Sequence, residues 1–386
     1  MPESLKLNIS PAVIDWALRY AKSDEIEKKL LSWKSGEKKP TAKQVEKISK
    51  KLHLPFAGFL FSEPFAENIP LLEYRTIKTL EIGEPSRELI DTIQNMTNIQ
   101  DWMREYLLNV FAEKLSFVGC LKDEKNVMNI ADKIRRVLKI NLNWQKDIFK
   151  NVFPFKFFRE HLESIGVIVM LNGVVGTNPH RALDNSEFRA FTLIDDYAPL
   201  VFINSNDSES GKLFSLLHET VHIFLGNNSL FNADDKQNTT NPIEKLCNAV
   251  AAEILVPKIL FDVAWKKDID SIEQIKTLGK EFRCSIVVIA RRALDFGLID
   301  MDLYNIIAET ARKQYLSYKE KQKQQEGGGN HYNTLKSRIN ERFLLTLDDA
   351  IWEGRATYTD AFKLTNTNSK TYDELIRKVR GDTYIQ

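Results

Sequence analysis

The sequence predicts an α+β protein that is mostly helical and carries one small β-sheet near the middle of the chain. Apolar residues recur at intervals of three and four over most of residues 11–150 and 271–380, which is the spacing of amphipathic helices. Between these regions, three short β-rich runs are divided by Gly, Asn, Pro and Asp, at residues 166–171, 191–194 and 199–204. A chain of 386 residues is long enough for two or three domains with substantial cores.

The composition excludes several classes of protein. The 54 Lys and Arg balance 53 Asp and Glu, which excludes a uniformly basic nucleic-acid binder. Three cysteines are too few for a disulfide framework and favour a reducing cytoplasm. Neither a signal-peptide core nor an apolar run near the ~20 residues of a membrane span is present, so we expect a soluble cytoplasmic protein without a membrane partner.

The first 63 residues predict a compact helical module. Ser23 can cap a helix, and Thr41 begins a second amphipathic helix that Pro55 ends. Six lysines on or beside the second helix make the module basic, at positions 38, 39, 43, 47, 50 and 51. A solvated helix face and a phosphate-binding face both fit this pattern.

The remaining chain divides into a bracing helical region at 64–150, a sheet-containing domain at 151–270 and a helical region at 271–386. The middle domain is acidic, with 10 basic and 16 acidic residues, which favours a basic substrate segment. It predicts a helix over 209–225, a polar loop and a second helix that begins at Pro242. Residues 313–333 are charged, then Gln-rich, then Gly-rich, and predict a solvated linker.

His218, Glu219 and His222 form an HExxH motif within the helix predicted over 209–225. Helical residues four apart lie on one face, so both imidazoles can bind one metal ion. Zn²⁺ accepts such nitrogens at ~2.0–2.1 Å in a tetrahedral shell. Glu219 is displaced around the helix and can face an activated water without being a ligand. The motif therefore predicts a zinc site with Glu219 as the general base.

A catalytic zinc site needs a third protein ligand, and the helix after the motif offers two carboxylates. Glu244 and Glu253 are nine residues apart and lie on opposite helix faces, so both cannot reach the metal. Asn248 shares the face of Glu244 and could hold a ligand imidazole by a hydrogen bond, which favours Glu244. Cys247 is either a small core residue or a thiol close to the metal.

Four residues are candidates for contact with a substrate. The strand at 199–204 is expected beside the motif helix, where its main chain at Val201 and Ile203 would pair with an extended substrate. His180 and Tyr197 lie in loops between the predicted strands and could reach the site, although plain surface positions fit them as well.

Together these motifs resemble the ImmA/IrrE family of metallo-endopeptidases. The matching segments are PLVFIN at 199–204, LLHETVHIFLG at 216–226 and EKLCNAVAAEILVP at 244–257. The resemblance implies a zincin-like core and zinc-dependent cleavage of a protein, typically a repressor or antitoxin encoded nearby that controls stress or mobile-element genes. By the same resemblance, Glu219 is catalytic and the metal ligands are His218, His222 and Glu244.

The first module resembles the Xre-type helix-turn-helix that often precedes this peptidase. The similar segments are WALRYA, WKSGEKKPT, LPFAGFLF and LLEYRT. A full helix-turn-helix has a recognition helix between its second helix and the Trp of the W-x-x-G turn. Here Leu30, Leu31 and Ser32 lead directly into Trp33, which argues against sequence-specific DNA binding.

Two functions remain as hypotheses. The first is a zinc endopeptidase with a narrow protein substrate, favoured by the complete set of motif residues. The second is a non-proteolytic DNA- or partner-binding regulator, such as the antitoxin of a toxin–antitoxin pair, that uses the peptidase fold as a sensor or scaffold. The basic first module supports this second hypothesis.

Overall fold

The computed structural model describes residues 6–65, 85–149, 152–231, 241–266, 268–324 and 331–383, together with residues 69 and 71. Within these ranges the chain is mostly helical and contains one small mixed sheet, which confirms the predicted α+β class. The chain divides into two compact units, Met1–Pro70 with Glu81–Asp91, and Leu71–Leu80 with Thr92–Gln386. None of the described helices has both the length and the apolar character needed to cross a membrane.

The first unit contains three short helices: α1 (Pro11–Leu18), α2 (Asp24–Lys34) and α3 (Ala42–Leu52), followed by the 3-10 helix Phe56–Leu60. Ser23 caps α2 by accepting from the Ile26 N–H, and Thr41 forms a capping box with Gln44 at the start of α3. Trp33 lies inside α2. No separate helix therefore lies between α2 and that tryptophan.

The basic character of the first module is partly neutralised. All six lysines are exposed. Lys50 pairs with Glu46 at 2.6 Å, and Lys51 lies 3.8 Å from Glu25. Such exposed pairs contribute little stability, and they are typical of a solvated helix face.

Helix α4 begins in the first unit and continues into the second, which also contains the 3-10 helix Trp144–Lys146 and the later described helices and strands. These are α4 (Arg87–Asn109), α5 (Val127–Leu138), α6 (Pro154–Ser164), β1 (Ile168–Asn172), β2 (Ala190–Leu193), β3 (Leu200–Asn204), α7 (Glu209–Leu225), β4 (Ser229–Phe231), α8 (Pro242–Leu255), α9 (Lys258–Ala264), α10 (Ser271–Glu281), α11 (Ile286–Asp295), α12 (Met301–Gln324), α13 (His331–Arg338), α14 (Glu341–Trp352), α15 (Tyr358–Thr365) and α16 (Ser369–Thr383).

Two local predictions are corrected in part by the described residues. In the expected linker at 313–333, residues 313–324 belong to α12 and residues 331–333 belong to α13, while residues 325–330, with the three glycines, lie outside the described ranges. Lys, Gln and Glu are good helix formers, so polar composition alone does not imply a flexible segment. In the polar loop expected at 227–241, residues 229–231 form β4 and add a fourth strand to the sheet, while residues 232–240 lie outside the described ranges.

The sheet has the strand order β1-β3-β2-β4, in which β1 is parallel to β3 and the other neighbours are antiparallel. Side chains alternate between its two faces. Val201 and Ile203 belong to the core cluster that includes the buried side of α7, whereas Phe202 stacks on Phe191 with ring centroids 5.0 Å apart. The C-terminal helices approach this second face, where the Asn340 N–H contacts Met170 Sδ at 3.4 Å.

The proposed substrate contact of β3 is wrong, because β3 is a central strand. Val201 pairs with Val169 on one side and Thr192 on the other, and Ile203 is paired on both sides in the same way. Both side chains are fully buried. The main chain at Val201 and Ile203 is therefore already used within the sheet and cannot pair with a substrate.

Candidate metal centre

The two histidines are held by a helix with well-defined ends. Ser208 caps α7 by accepting from the Gly211 N–H at 3.0 Å. Gly226, with φ of 74°, takes the left-handed conformation that ends the helix. The middle of α7 is buried on all sides, as expected for a helix that is apolar around most of its surface. His218 and His222 therefore have fixed positions.

Glu244 reaches the histidines from α8, the helix that packs beside α7. Asn241 caps α8 through a bond from the Ile243 N–H at 3.1 Å, and Pro242 occupies the first turn. These local features place Glu244 one turn before Asn248, and both side chains contact His218.

Three side chains, here called the metal trio, converge on one point: His218, His222 and Glu244. The two Nε2 atoms are 3.1 Å apart, His218 Nε2 lies 3.1 Å from Glu244 Oε2, and His222 Nε2 lies 3.6 Å from Glu244 Oε1. Ligand atoms in a tetrahedral shell with bonds of 2.0–2.1 Å are about 3.3 Å apart. The three groups therefore fit a metal ion and leave one position of the shell open.

The chemistry of the donor set agrees with its geometry. Asn248 Oδ1 accepts from the His218 Nδ1–H at 2.9 Å, which leaves the lone pair of His218 on the converging Nε2 atom. Burial alone would raise the pKa of Glu244, but hydrogen bonds and charges of the two histidines outweigh it and hold the pKa below its usual range. The Glu244 side chain keeps 24% exposure while the histidines are buried, so solvent reaches the trio from the Glu244 side.

Glu219 lies beside the trio in a fully buried position. Its Oε2 accepts from Thr192 Oγ1 on β2 at 2.5 Å, whereas its buried Oε1 has no hydrogen-bond partner among the described residues. Burial raises the pKa of Glu219 against the opposing effects of both histidines and Thr192. One oxygen is thus held in place and the other is available to accept a proton.

Two residues of this site were not predicted from the sequence. Thr192 holds Glu219, and the Phe231 ring on β4 packs against His218 with centroids 4.1 Å apart. A polar Thr between Phe191 and Leu193 in a buried strand was the available signal. Nothing local distinguished Phe231 from a loop residue.

Glu253, the alternative third ligand, is engaged elsewhere. It is buried and forms an ion pair with Arg292, and its carboxylate accepts from the Lys258 N–H at 3.1 and 3.2 Å. Arg135 donates to the Glu253 carbonyl at 2.6 Å. The structure therefore gives Glu253 a role in joining α8 to α5, α9 and α11.

Replacing Glu253 with alanine is expected to lower the free energy of unfolding by roughly 3–5 kcal/mol, since Arg292 would remain buried and unpaired. Metal stoichiometry of the folded protein should not change. Denaturant titration and metal analysis on the same sample measure both quantities. Loss of metal from fully folded Glu253→Ala protein would show that Glu253 also contributes to metal binding.

The other sequence candidates lie outside the trio. His180 is exposed in the loop after β1, and Tyr197 lies before β3 with Lys114 Nζ 5.9 Å from its ring. Neither side chain has a described contact with the trio. Cys247 is fully buried in the main apolar cluster, so it is a core residue.

The small sheet and the three converging side chains are those expected of a metallopeptidase-type domain. In agreement, residues 174–294 match the model of peptidase family M78, the IrrE N-terminal-like domain. This segment contains α7 and α8 and supports the resemblance to the ImmA/IrrE family. Residues 339–378 match DUF8813, a domain of unknown function. No curated protein matched the chain.

Proposed function

We propose that this protein is a zinc-dependent endopeptidase that cleaves a specific protein substrate. The observation that carries the proposal is the convergence of His218, His222 and Glu244, with a free oxygen of Glu219 beside them. Two nitrogens and one carboxylate oxygen in a tetrahedral arrangement suit Zn²⁺ better than a hard, six-coordinate cation.

Each side chain of the site has a separate role in the proposed reaction. His218, His222 and Glu244 would hold the metal, with Asn248 fixing the His218 ring. A bound zinc ion would polarise the scissile carbonyl and make an attacking water more acidic. Glu219 Oε1 accepts the proton of that water and passes it to the leaving amine, while Thr192 holds Oε2 still. Peptide cleavage needs both proton transfers.

In this proposal the substrate main chain pairs with β4 and not with β3. Strand β4 pairs with β2 on one side, and no described strand pairs with its other side. Phe231 of β4 contacts His218, so a peptide added along this edge would pass next to the metal ligands. The acidic composition of residues 151–270 favours a basic segment in that substrate.

The proposed substrate is a repressor or an antitoxin-like protein encoded near this gene. The test is metal analysis of the purified protein, followed by incubation with each neighbouring gene product and mass spectrometry of the fragments. One equivalent of zinc and a single cleavage site are expected. Stable binding of a neighbour without cleavage would instead support the non-proteolytic regulator, and absence of bound zinc would contradict the proposed enzyme.

Replacing Thr192 with valine is expected to reduce kcat about tenfold, because Glu219 loses the hydrogen bond that orients it. KM and zinc content should change little. Thr192→Ser keeps the hydroxyl donor and removes only the methyl group, so this variant should retain most of the activity. If serine and valine reduce kcat equally, the hydroxyl does not position Glu219 and the effect comes from packing.

A further inference from the structure

A small pocket lies on the face of the sheet opposite α7. Phe202 and Met170 line it, whereas their strand neighbours Val201 and Val169 pack in the core cluster with α7. The other walls come from α4, α13 and α15 and from the loop after β1, and all lining residues belong to the second unit. The pocket has a volume of about 40 Å³ and is partly open to solvent. This volume could hold a few water molecules or the polar head of a small ligand.

Arg338 is the only charged residue among those that line this pocket. Its side chain is half-buried, and burial lowers its pKa without an opposing carboxylate. It forms no hydrogen bond or ion pair with any residue in the described part of the chain. None of its nitrogen atoms is among the buried polar atoms without a partner, so the guanidinium still reaches solvent and is open to a ligand.

Three more deeply buried arginines of the same unit are paired, whereas Arg342 on α14 is like Arg338 and has no hydrogen bond or ion pair with a described residue. Arg135 bonds to Asp132 at 2.9 Å, Arg159 bonds to Glu163 at 2.7 Å, and Arg292 pairs with Glu253. Arg338 differs from them because the groups around it in the pocket are neutral. No carboxylate lines this pocket, so its one positive charge is available to an external anion.

Two amide side chains in the pocket are also free to donate. Asn95 on α4 and Asn366 after α15 make no side-chain hydrogen bond to a described residue. The surrounding loop is well defined: Asn172 Nδ2 donates to the Gly176 carbonyl at 2.7 Å, and Thr177 Oγ1 donates to the Asn366 carbonyl at 3.2 Å. Gly176 has φ of +57°, and a Cβ there would lie 3.0 Å from the Asn366 side chain. The pocket is thus a shaped site with unused donors.

We propose that this pocket binds the oxyanion group of a small molecule, a carboxylate or a phosphate, through Arg338, Asn95 and Asn366. The planar guanidinium matches two oxygens of such a group, and the amides supply further N–H donors. Apolar lining residues such as Met96 and Leu335 would contact the carbon part of the ligand. The site is separate from the metal trio and does not depend on peptidase activity.

A ligand there would connect the two segments that match different family models. Val174 and Phe202 lie in the segment 174–294, and Leu364 and Asn366 lie in the segment 339–378. Because the ligand would bind only the folded arrangement of these segments, it should raise the thermal stability of the protein in a saturable way.

The test uses the full-length protein and two simple probes, inorganic phosphate and acetate, each titrated by calorimetry and by thermal unfolding at constant ionic strength. Saturable binding of at least one probe below about 10 mM is expected. Arg338→Gln should weaken it about tenfold or more, while Arg312→Gln, a change of an exposed arginine on α12, should not. Asn95→Leu removes a donor with little change in size and should weaken binding severalfold.

The variants also distinguish this pocket from other anion sites. Phosphate that binds at the metal trio would bind Arg338→Gln as well as the unmodified protein, and that result would overturn the proposal. Failure of both probes to saturate would also overturn it. If Arg338→Gln does not fold, Asn95→Leu becomes the deciding variant. An unchanged affinity of Asn95→Leu for the probe would refute binding in this pocket.

Discussion

Replacing Glu219 with glutamine is expected to reduce the rate of cleavage by about 10²–10⁴-fold, the usual contribution of a general base. The amide cannot accept the proton that the Oε1 atom of Glu219 would receive, yet it has the same shape and can still accept from Thr192. Zinc content should stay at one equivalent, since Glu219 is not among the three converging ligands. Single-turnover cleavage and metal analysis on the same sample measure both quantities.

A matched control for this variant is Glu209→Gln. Glu209 lies in the first turn of the same helix, and its side chain is 60% exposed and pairs with Lys212. It should keep full activity, because an exposed pair of this kind contributes little to stability. Normal cleavage by Glu219→Gln would show that another group accepts the proton.

Replacing Glu244 with alanine is expected to weaken zinc binding by more than about 100-fold, because even the loss of a residue that only supports a ligand costs 10–100-fold. His218 and His222 would remain as a two-nitrogen site without a negative charge. Competition with a chromophoric chelator gives the affinity, and circular dichroism reports whether the helices persist. Cleavage should disappear together with the metal.

Glu209→Gln is again a suitable control. It removes one negative charge from the helix that carries the histidines, but Glu209 is not one of the three converging residues. Equal zinc affinity in Glu244→Ala and the unmodified protein would show that Glu244 only hydrogen-bonds to His218.

The sequence predicts the core of the site well because its signals are local. The HExxH spacing places two imidazoles on one helix face whatever surrounds the helix. Ser208 and Gly226 define the ends of α7 through their own backbone and side-chain hydrogen bonds. Helical periodicity shows that Glu244 and Glu253 cannot both face the metal, and the shared face of Asn248 together with the family resemblance favours Glu244.

Only the tertiary structure decided which groups from other elements join the site. Sequence alone does not tell which edges of a strand are paired, so β3 was expected to be open and β4 was not expected at all. Thr192 and Phe231 reach the motif helix through sheet pairing, and their roles depend on contacts between distant segments. The free Arg338 is visible only after the C-terminal helices are placed on the sheet. Residues close together in the sequence determine helix ends and helix faces, because the hydrogen bonds involved are local. Strand order and the packing of distant helices depend on the whole folded unit.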